Sequence, residues 1–180
     1  MVTENRRSKA GRVSIVLVGI LLASMLSIGG VASELSGVKI VNPSHGYANV
    51  KGEAASYYYY RSKIAADTET SVIFKQNTCS VSDQKSKKFS KCWIHIAGAS
   101  AGLSFSKQAP ISMKTLSVEP EGGKSSEILQ WNTLMIDGPE GAIEFKIPRG
   151  CYVELNFLWE VPKEFSPSRV KIGDLVDVSL

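Results

Sequence analysis

The sequence predicts an all-β domain, an antiparallel β-sandwich behind one N-terminal apolar helix. Three observations carry this. About eight or nine segments after residue 37 alternate apolar and polar side chains with the period of a half-buried strand. Gly, Pro and Ser collect between those segments, where the chain must turn. Ahead of them, residues 13–32 contain no charged side chain.

The N-terminal region is organised by charge. Residues 1–12 carry Arg6, Arg7, Lys9 and Arg12 against Glu4. Val13–Ala32 follows as VSIVLVGILLASMLSIGGVA. A helix rising about 1.5 Å per residue crosses a hydrocarbon layer of about 30 Å in about 20 residues, so this run is long enough to span. Its basic flank predicts that residues 1–12 stay in the cytoplasm and that everything after the run lies outside. Two outcomes share that reading: a retained single-pass anchor, or a signal segment cleaved near Ala32, behind the small Gly30. Basic residues, Gly11 and an apolar run also resemble the leader of type IV pilin-like and archaellum-associated proteins, although the early Glu of pilins is missing. Residues 33–37 form a short joint and 38–180 the exported domain.

Within that domain, Val38–Val41 opens as a strand and Asn42-Pro43-Ser44-His45-Gly46 predicts a turn. Residues 53–67 could hold the one short helix, but Tyr57–Tyr60 favours a strand. Residues 70–76 read as a strand. In residues 92–97, Cys92, Ile94 and Ile96 share one face, with Trp93 and His95 on the other. Ile111 and Met113 alternate in one phase, Leu116 and Val118 in the opposite one, which predicts a bulge near Lys114-Thr115. Residues 128–136 form a further strand. In residues 142–147, Ile143, Phe145 and Ile147 point inward, Glu144 and Lys146 outward. The clearest alternation is Val153, Leu155, Phe157, Trp159 and Val161, with Glu154, Asn156 and Glu160 between them; a one-residue slip would bury those polar groups. Pro162 ends that strand. Val170, Ile172, Val176, Val178 and Leu180 then repeat on even positions. Trp93, Trp131 and Trp159 belong to the core on this pattern.

The stretch LWEVPKEFSPSRVKIGDLVDV, Leu158–Val178, is similar to the C-terminal end of small exported immunoglobulin-like domains of bacteria and archaea. Those end in an apolar strand, Val-Pro, a Lys-Glu or Lys-Asp, a short loop and a last apolar strand. The resemblance implies an immunoglobulin-like β-sandwich. It implies no activity, because a fold does not specify a function.

The totals remove several function classes. Composition is globular, with 43% apolar and 21% charged residues. The net charge of +4 sits mostly in residues 1–12, leaving 17 basic and 16 acidic residues beyond them. That near-balance gives no reason to expect a nucleic-acid partner. No Cys-x-x-Cys occurs, His45 and His95 have no ligand at metal-binding spacing, and no His follows Cys151. Neither a zinc nor a blue-copper site is expected, and no cofactor.

Cys79, Cys92 and Cys151 allow one disulfide in an oxidising compartment. Cys79–Cys92 is the first pairing expected. It closes a 14-residue loop, and closing about 15 residues contributes about 3 kcal/mol in the chain-entropy account. Cys92–Cys151 is the second, both cysteines lying on apolar-face positions.

Gly98-Ala99-Ser100-Ala101-Gly102 matches the serine-elbow pattern, but the helix and later His that chemistry needs are missing. Ser82–Lys85 and Ser104–Lys107 match Ser-x-x-Lys without a helix to join the pair. Neither an enzyme nor a small-molecule substrate is therefore expected. Two surfaces could make contacts. In Tyr57–Arg61, alternation turns two rings outward, and Tyr58, Tyr60 and Arg61 form the first candidate. Lys85, Lys87, Lys88 and Lys91 crowd the loop between Cys79 and Cys92 and form the second, suited to an anionic group. The expected function is a membrane-tethered extracytoplasmic binding or structural domain that contacts another envelope protein or matrix. The rival is an accessory subunit or stator of a surface filament or membrane complex, and a third reading is an exported hydrolase acting through Ser100.

Overall fold

The computed structural model describes residues 35, 37–98, 101–105, 111–121, 128–138 and 141–180, with the backbone alone for 101–105. The apolar run Val13–Ala32, Ser100 and Lys107 lie outside the described residues. Among the described residues no helix is long and apolar enough to cross a membrane.

The strands are β1 (Val38–Val50), β2 (Ser56–Ala66), β3 (Thr70–Lys75), β4 (Cys79–Asp83), β5 (Lys88–Phe89), β6 (Cys92–Gly98) and β7 (Ala101–Phe105). They continue with β8 (Ile111–Pro120), β9 (Leu129–Ile136), β10 (Ala142–Ile147), β11 (Tyr152–Val161), β12 (Pro167–Ile172) and β13 (Val176–Ser179). Every pairing is antiparallel. Six strands close into a barrel in the order β1-β2-β11-β6-β9-β8. Two smaller sheets, β3-β10-β7 and β13-β12-β4-β5, complete the described fold. The all-β antiparallel character is as the alternation predicts. The layering differs from two open sheets, because the inner layer is one flank of a closed barrel, and closure removes exposed strand edges.

Among the described residues there are two apolar clusters. The larger contains the odd positions of β11 with Tyr58, Tyr60, Phe74, Phe145, Val81, Val170 and Ile172, so it lies between the outer face of the barrel flank and the two small sheets. Phe74 meets Phe145 at 5.4 Å and Phe157 edge-on at 5.2 Å. The smaller cluster includes Ala48, Val50, Tyr57, Leu116, Val118, Trp131 and Leu158, with Tyr59 and Trp93 packed on it. Alternation places it on the opposite, inner face of the barrel wall. Gly46 lies close against this cluster: a Cβ would stand 3.3 Å from the Tyr59 ring.

Three local expectations change. The turn at residues 42–46 is instead a bulge within β1, between Val41 and Ser44, where Asn42 takes φ 51°, a conformation Asn tolerates better than most residues. The bulge expected near Lys114-Thr115 does not form, since β8 pairs β9 without a register shift from Ile111 to Val118. The phase change records which face is covered: Ile111 packs on the larger cluster, while Leu116 and Val118 fill the barrel. Finally, Asn156 on β11 is fully buried, because its face looks into the barrel and not into water.

Candidate functional site

The site with the most distinct chemistry lies on the solvent side of the β13-β12-β4-β5 sheet. On β4, Cys79 and Val81 enter the core, so Ser80 and Ser82 take the other face. On β12, Val170 and Ile172 enter the core, leaving Arg169 and Lys171 outward and exposed. On β5, Phe89 packs on the core and Lys88 faces out. Register then aligns them. Lys88 and Arg169 stand on either side of Ser82, and Lys171 stands beside Ser80. With Ser86 and Ser168 they line an open hollow of about 220 Å³. The result is a serine floor between cationic arms.

Two carboxylates approach this cradle, and both are already engaged. Asp83 Oδ1 accepts the backbone N–H groups of Lys85 and Lys87, each at 2.8 Å, which shapes the lysine turn from inside. Asp177 accepts Arg169 Nε at 2.6 Å and Nη2 at 2.5 Å, with Lys171 Nζ at 3.8 Å. The Arg169 hydrogen bond holds the Asp177 carboxyl below its usual range. The Ser168 hydroxyl donates to the carbonyl oxygen of Asp83 at 2.6 Å. Among the described residues the Ser80 and Ser82 hydroxyls have no hydrogen-bond partner, although both residues are over nine-tenths buried. Hydroxyl donors flanked by ammonium and guanidinium groups are suited to hold an anionic oxygen.

Of the lysines expected to act, Lys85, Lys87, Lys88 and Lys91 are all exposed, and Lys88 alone lines the hollow. Lys87 Nζ lies 5.3 Å over the Phe89 ring. Arg169 and Lys171 come from far along the chain. Their outward facing was readable from Val170 and Ile172, but their neighbour across the sheet was not.

The tyrosine surface needs correction. Tyr58 and Tyr60 are each 1% exposed, so neither can form a contact patch. Both faces of β2 are covered, since one looks into the barrel and the other onto the small sheets. Tyr58 is held by His45 Nδ1 at 2.6 Å from its hydroxyl and by the rings of Tyr47 and Phe165. Burial pushes the Tyr60 hydroxyl up to about 12.

Arg61 points into the barrel and takes part in a different construction. Cross-strand register places Ser44, Arg61, Asn156, His95, Thr133 and Lys114 in one row, one residue from each barrel strand. Arg61 Nε and Nη2 reach Glu154 Oε1 at 2.9 and 2.8 Å. Asn156 Nδ2 approaches the same oxygen at 3.4 Å, while Asn156 Oδ1 is buried without a partner among the described residues. His95 stacks on Trp131 with ring centres 6.0 Å apart, and its Nδ1 donates to the Asn132 carbonyl at 3.0 Å. This polar belt caps the apolar cluster inside the barrel.

The structure holds Cys79 and Cys92 as buried free thiols and Cys151 as a half-buried one; the expected Cys79–Cys92 bond is not formed in it. Among the described residues no cluster of three His, Cys, Asp or Glu could hold a metal ion. Ala101–Phe105, which follows Ser100, is a strand and not the helix of a serine elbow. Compared with protein-family models, with curated proteins and with solved structures, the chain has no match.

Proposed function

We propose that this chain is an exported, membrane-tethered binding domain that holds an anionic group of a cell-envelope partner in the cradle between β5, β4 and β12. The observation that carries the reading is the alignment of Lys88, Arg169 and Lys171 around two serine hydroxyls that have no hydrogen-bond partner among the described residues. Export is supported by the uncharged run Val13–Ala32 and the basic residues before it. The immunoglobulin-like kinship implied by Leu158–Val178 suits a display scaffold, since β11, the loop after Pro162 and β12 lead straight from the barrel to the cradle's cationic arm. The hollow opens to solvent, which admits a repeating anionic polymer of the envelope matrix, whose charged groups recur along its length.

The test is retention of the detergent-solubilised full chain on immobilised dextran sulfate, against uncharged dextran. Exposed ion pairs contribute about 0–1 kcal/mol each. Removing two cations with K88Q/K171Q should weaken retention by about three- to tenfold and move elution to lower salt, since exposed charges are screened. Unchanged retention in K88Q/K171Q would rule the cradle out as the binding surface.

A further inference from the structure

Cys79 and Cys92 are near each other for reasons beyond the sequence. Cys79 opens β4 and is fully buried; Cys92 opens β6 and is 5% exposed. They belong to different sheets, β4 to the outer one and β6 to the barrel. Trp159 links them: it is the cross-strand partner of Cys92, and its indole N–H donates to the Cys79 carbonyl at 3.4 Å. Both thiols line one narrow niche with Lys75, Gln76, Ser90, Ile94 and Ile136, too small to admit a water. The Thr78 hydroxyl lies 3.9 Å from the Cys79 sulfur. Between the two lie Ser80, Ser82 and Lys88, the floor and one arm of the cradle.

We propose that Cys79 and Cys92 are a disulfide site, joined while the chain folds outside the cytoplasm, and that the bond clamps the β4–β5 hairpin of the cradle onto the barrel wall. This rests on the reading that the chain is exported. The step is an exchange with the disulfide of an exported dithiol oxidoreductase. A thiolate of the unfolded chain attacks one sulfur of the oxidase, and the second cysteine displaces it from the mixed disulfide. One S–S bond forms in this chain, one breaks in the oxidase, and the oxidase leaves with both hydrogens as a dithiol. Timing follows from burial. In the closed core, burial pushes the Cys79 thiol up to about 12 and Cys92 well above its ordinary range, with Cys79 adding to the shift. Thiolate is the reacting form, so exchange belongs to the open chain. After folding, the same burial shields the bond from reductants.

The wild-type full chain settles this without any variant. It is produced with its own N-terminal run, separated into membrane and cytosolic fractions, and denatured in an alkylating agent without reductant. Peptide mass mapping should show Cys79 joined to Cys92 and only Cys151 alkylated in the membrane fraction. Three alkylated cysteines in membrane-bound chain would overturn the disulfide while leaving export standing. A bond between Cys151 and either of the others would overturn it equally. Chain found wholly in the cytosol with all thiols free would overturn the export reading and the disulfide together.

Discussion

The barrel's polar belt and the outer cradle use the same kinds of residue in opposite ways. In the belt, Arg61 and Glu154 are half-buried and turned on each other at 2.8 Å, with Asn156 buried beside them. In the cradle, Lys88, Arg169 and Lys171 are exposed, and Asp177 answers the two on β12. The two Arg–carboxylate pairs are similarly exposed; the difference lies in what stands beside them, a fully buried Asn156 in the belt and an exposed Lys88 in the cradle. A charge removed from water must be paired or it destabilises the fold. Among the described residues Lys88 lines the hollow without an ion pair, while Arg169 and Lys171 share Asp177; a charge left in water costs little when unpaired, so Lys88 remains open to a ligand. Substitutions in the belt should therefore change stability, and substitutions in the cradle should change binding and little else.

The sharpest break comes from Asn156→Asp. The change is nearly isosteric, but it sets a second carboxylate next to Glu154 in a fully buried position. Burial and the like charge both raise the pKa of the new group. The expected loss is about 3 kcal/mol near neutral pH, in line with an uncompensated buried charge, measured by urea unfolding. The folded state then binds more protons than the unfolded one, so the loss should shrink as pH falls toward 4. A deficit that stayed constant with pH would mean Asn156 is not held in a desolvated site.

Arg61→Met comes next. It removes the ion-pair partner of Glu154 and leaves it the Asn156 amide at 3.4 Å. Breaking a fully buried pair costs about 3–5 kcal/mol, but the Arg61 and Glu154 side chains are 43% and 22% exposed, and water screens part of that. About 1–2 kcal/mol is expected. The double variant R61M/E154L should recover most of it, which separates the unpaired charge from lost packing.

These two residues also show how much could be read from the chain. Val153 to Val161 was legible because a strand's alternation depends on its own residues alone. The same pattern placed Asn156 outward, which is correct for the strand and wrong for the molecule. Its second face meets a barrel closed by β9 and β8, and closure is a property of distant pairings. Tyr58 and Tyr60 failed for that reason too: a strand covered on both sides has no solvent face, and local period cannot reveal it. Ile111 and Leu116 gave a true phase change whose cause was a change of covered face along β8. In the cradle, each half was visible as Ser80/Ser82 and Arg169/Lys171. What brings them together is the β4–β12 pairing, between segments about 90 residues apart, which no window of sequence contains.

His45 supplies a smaller effect on the barrel's other side. Burial holds its pKa below the ordinary 6.5, and its Nδ1 meets the Tyr58 hydroxyl at 2.6 Å. As pH drops through about 6.5, the unfolded chain takes up this proton before the folded one does. Stability should thus decline from that point until the folded-state pKa is passed, and no further on this account. His45→Asn should flatten that part of the profile when thermal midpoints are compared between pH 8 and pH 5.

The smallest effect on stability is expected from S80A/S82A, and it probes the cradle most directly. Neither hydroxyl bonds to a described residue, so its removal leaves no protein partner unsatisfied, and such a change is close to neutral. Melting should move little. Binding should respond, because a hydrogen bond to a charged group contributes about 1.5–3 kcal/mol, so that losing even one gives about a tenfold drop in affinity for dextran sulfate. A diffuse field from the lysines acts over the Debye length of about 8–10 Å and does not depend on two hydroxyls at the sheet surface. If S80A/S82A binds as tightly as the unaltered chain while K88Q/K171Q does not, the region is a cationic patch, and the serine floor plays no part in holding the anion.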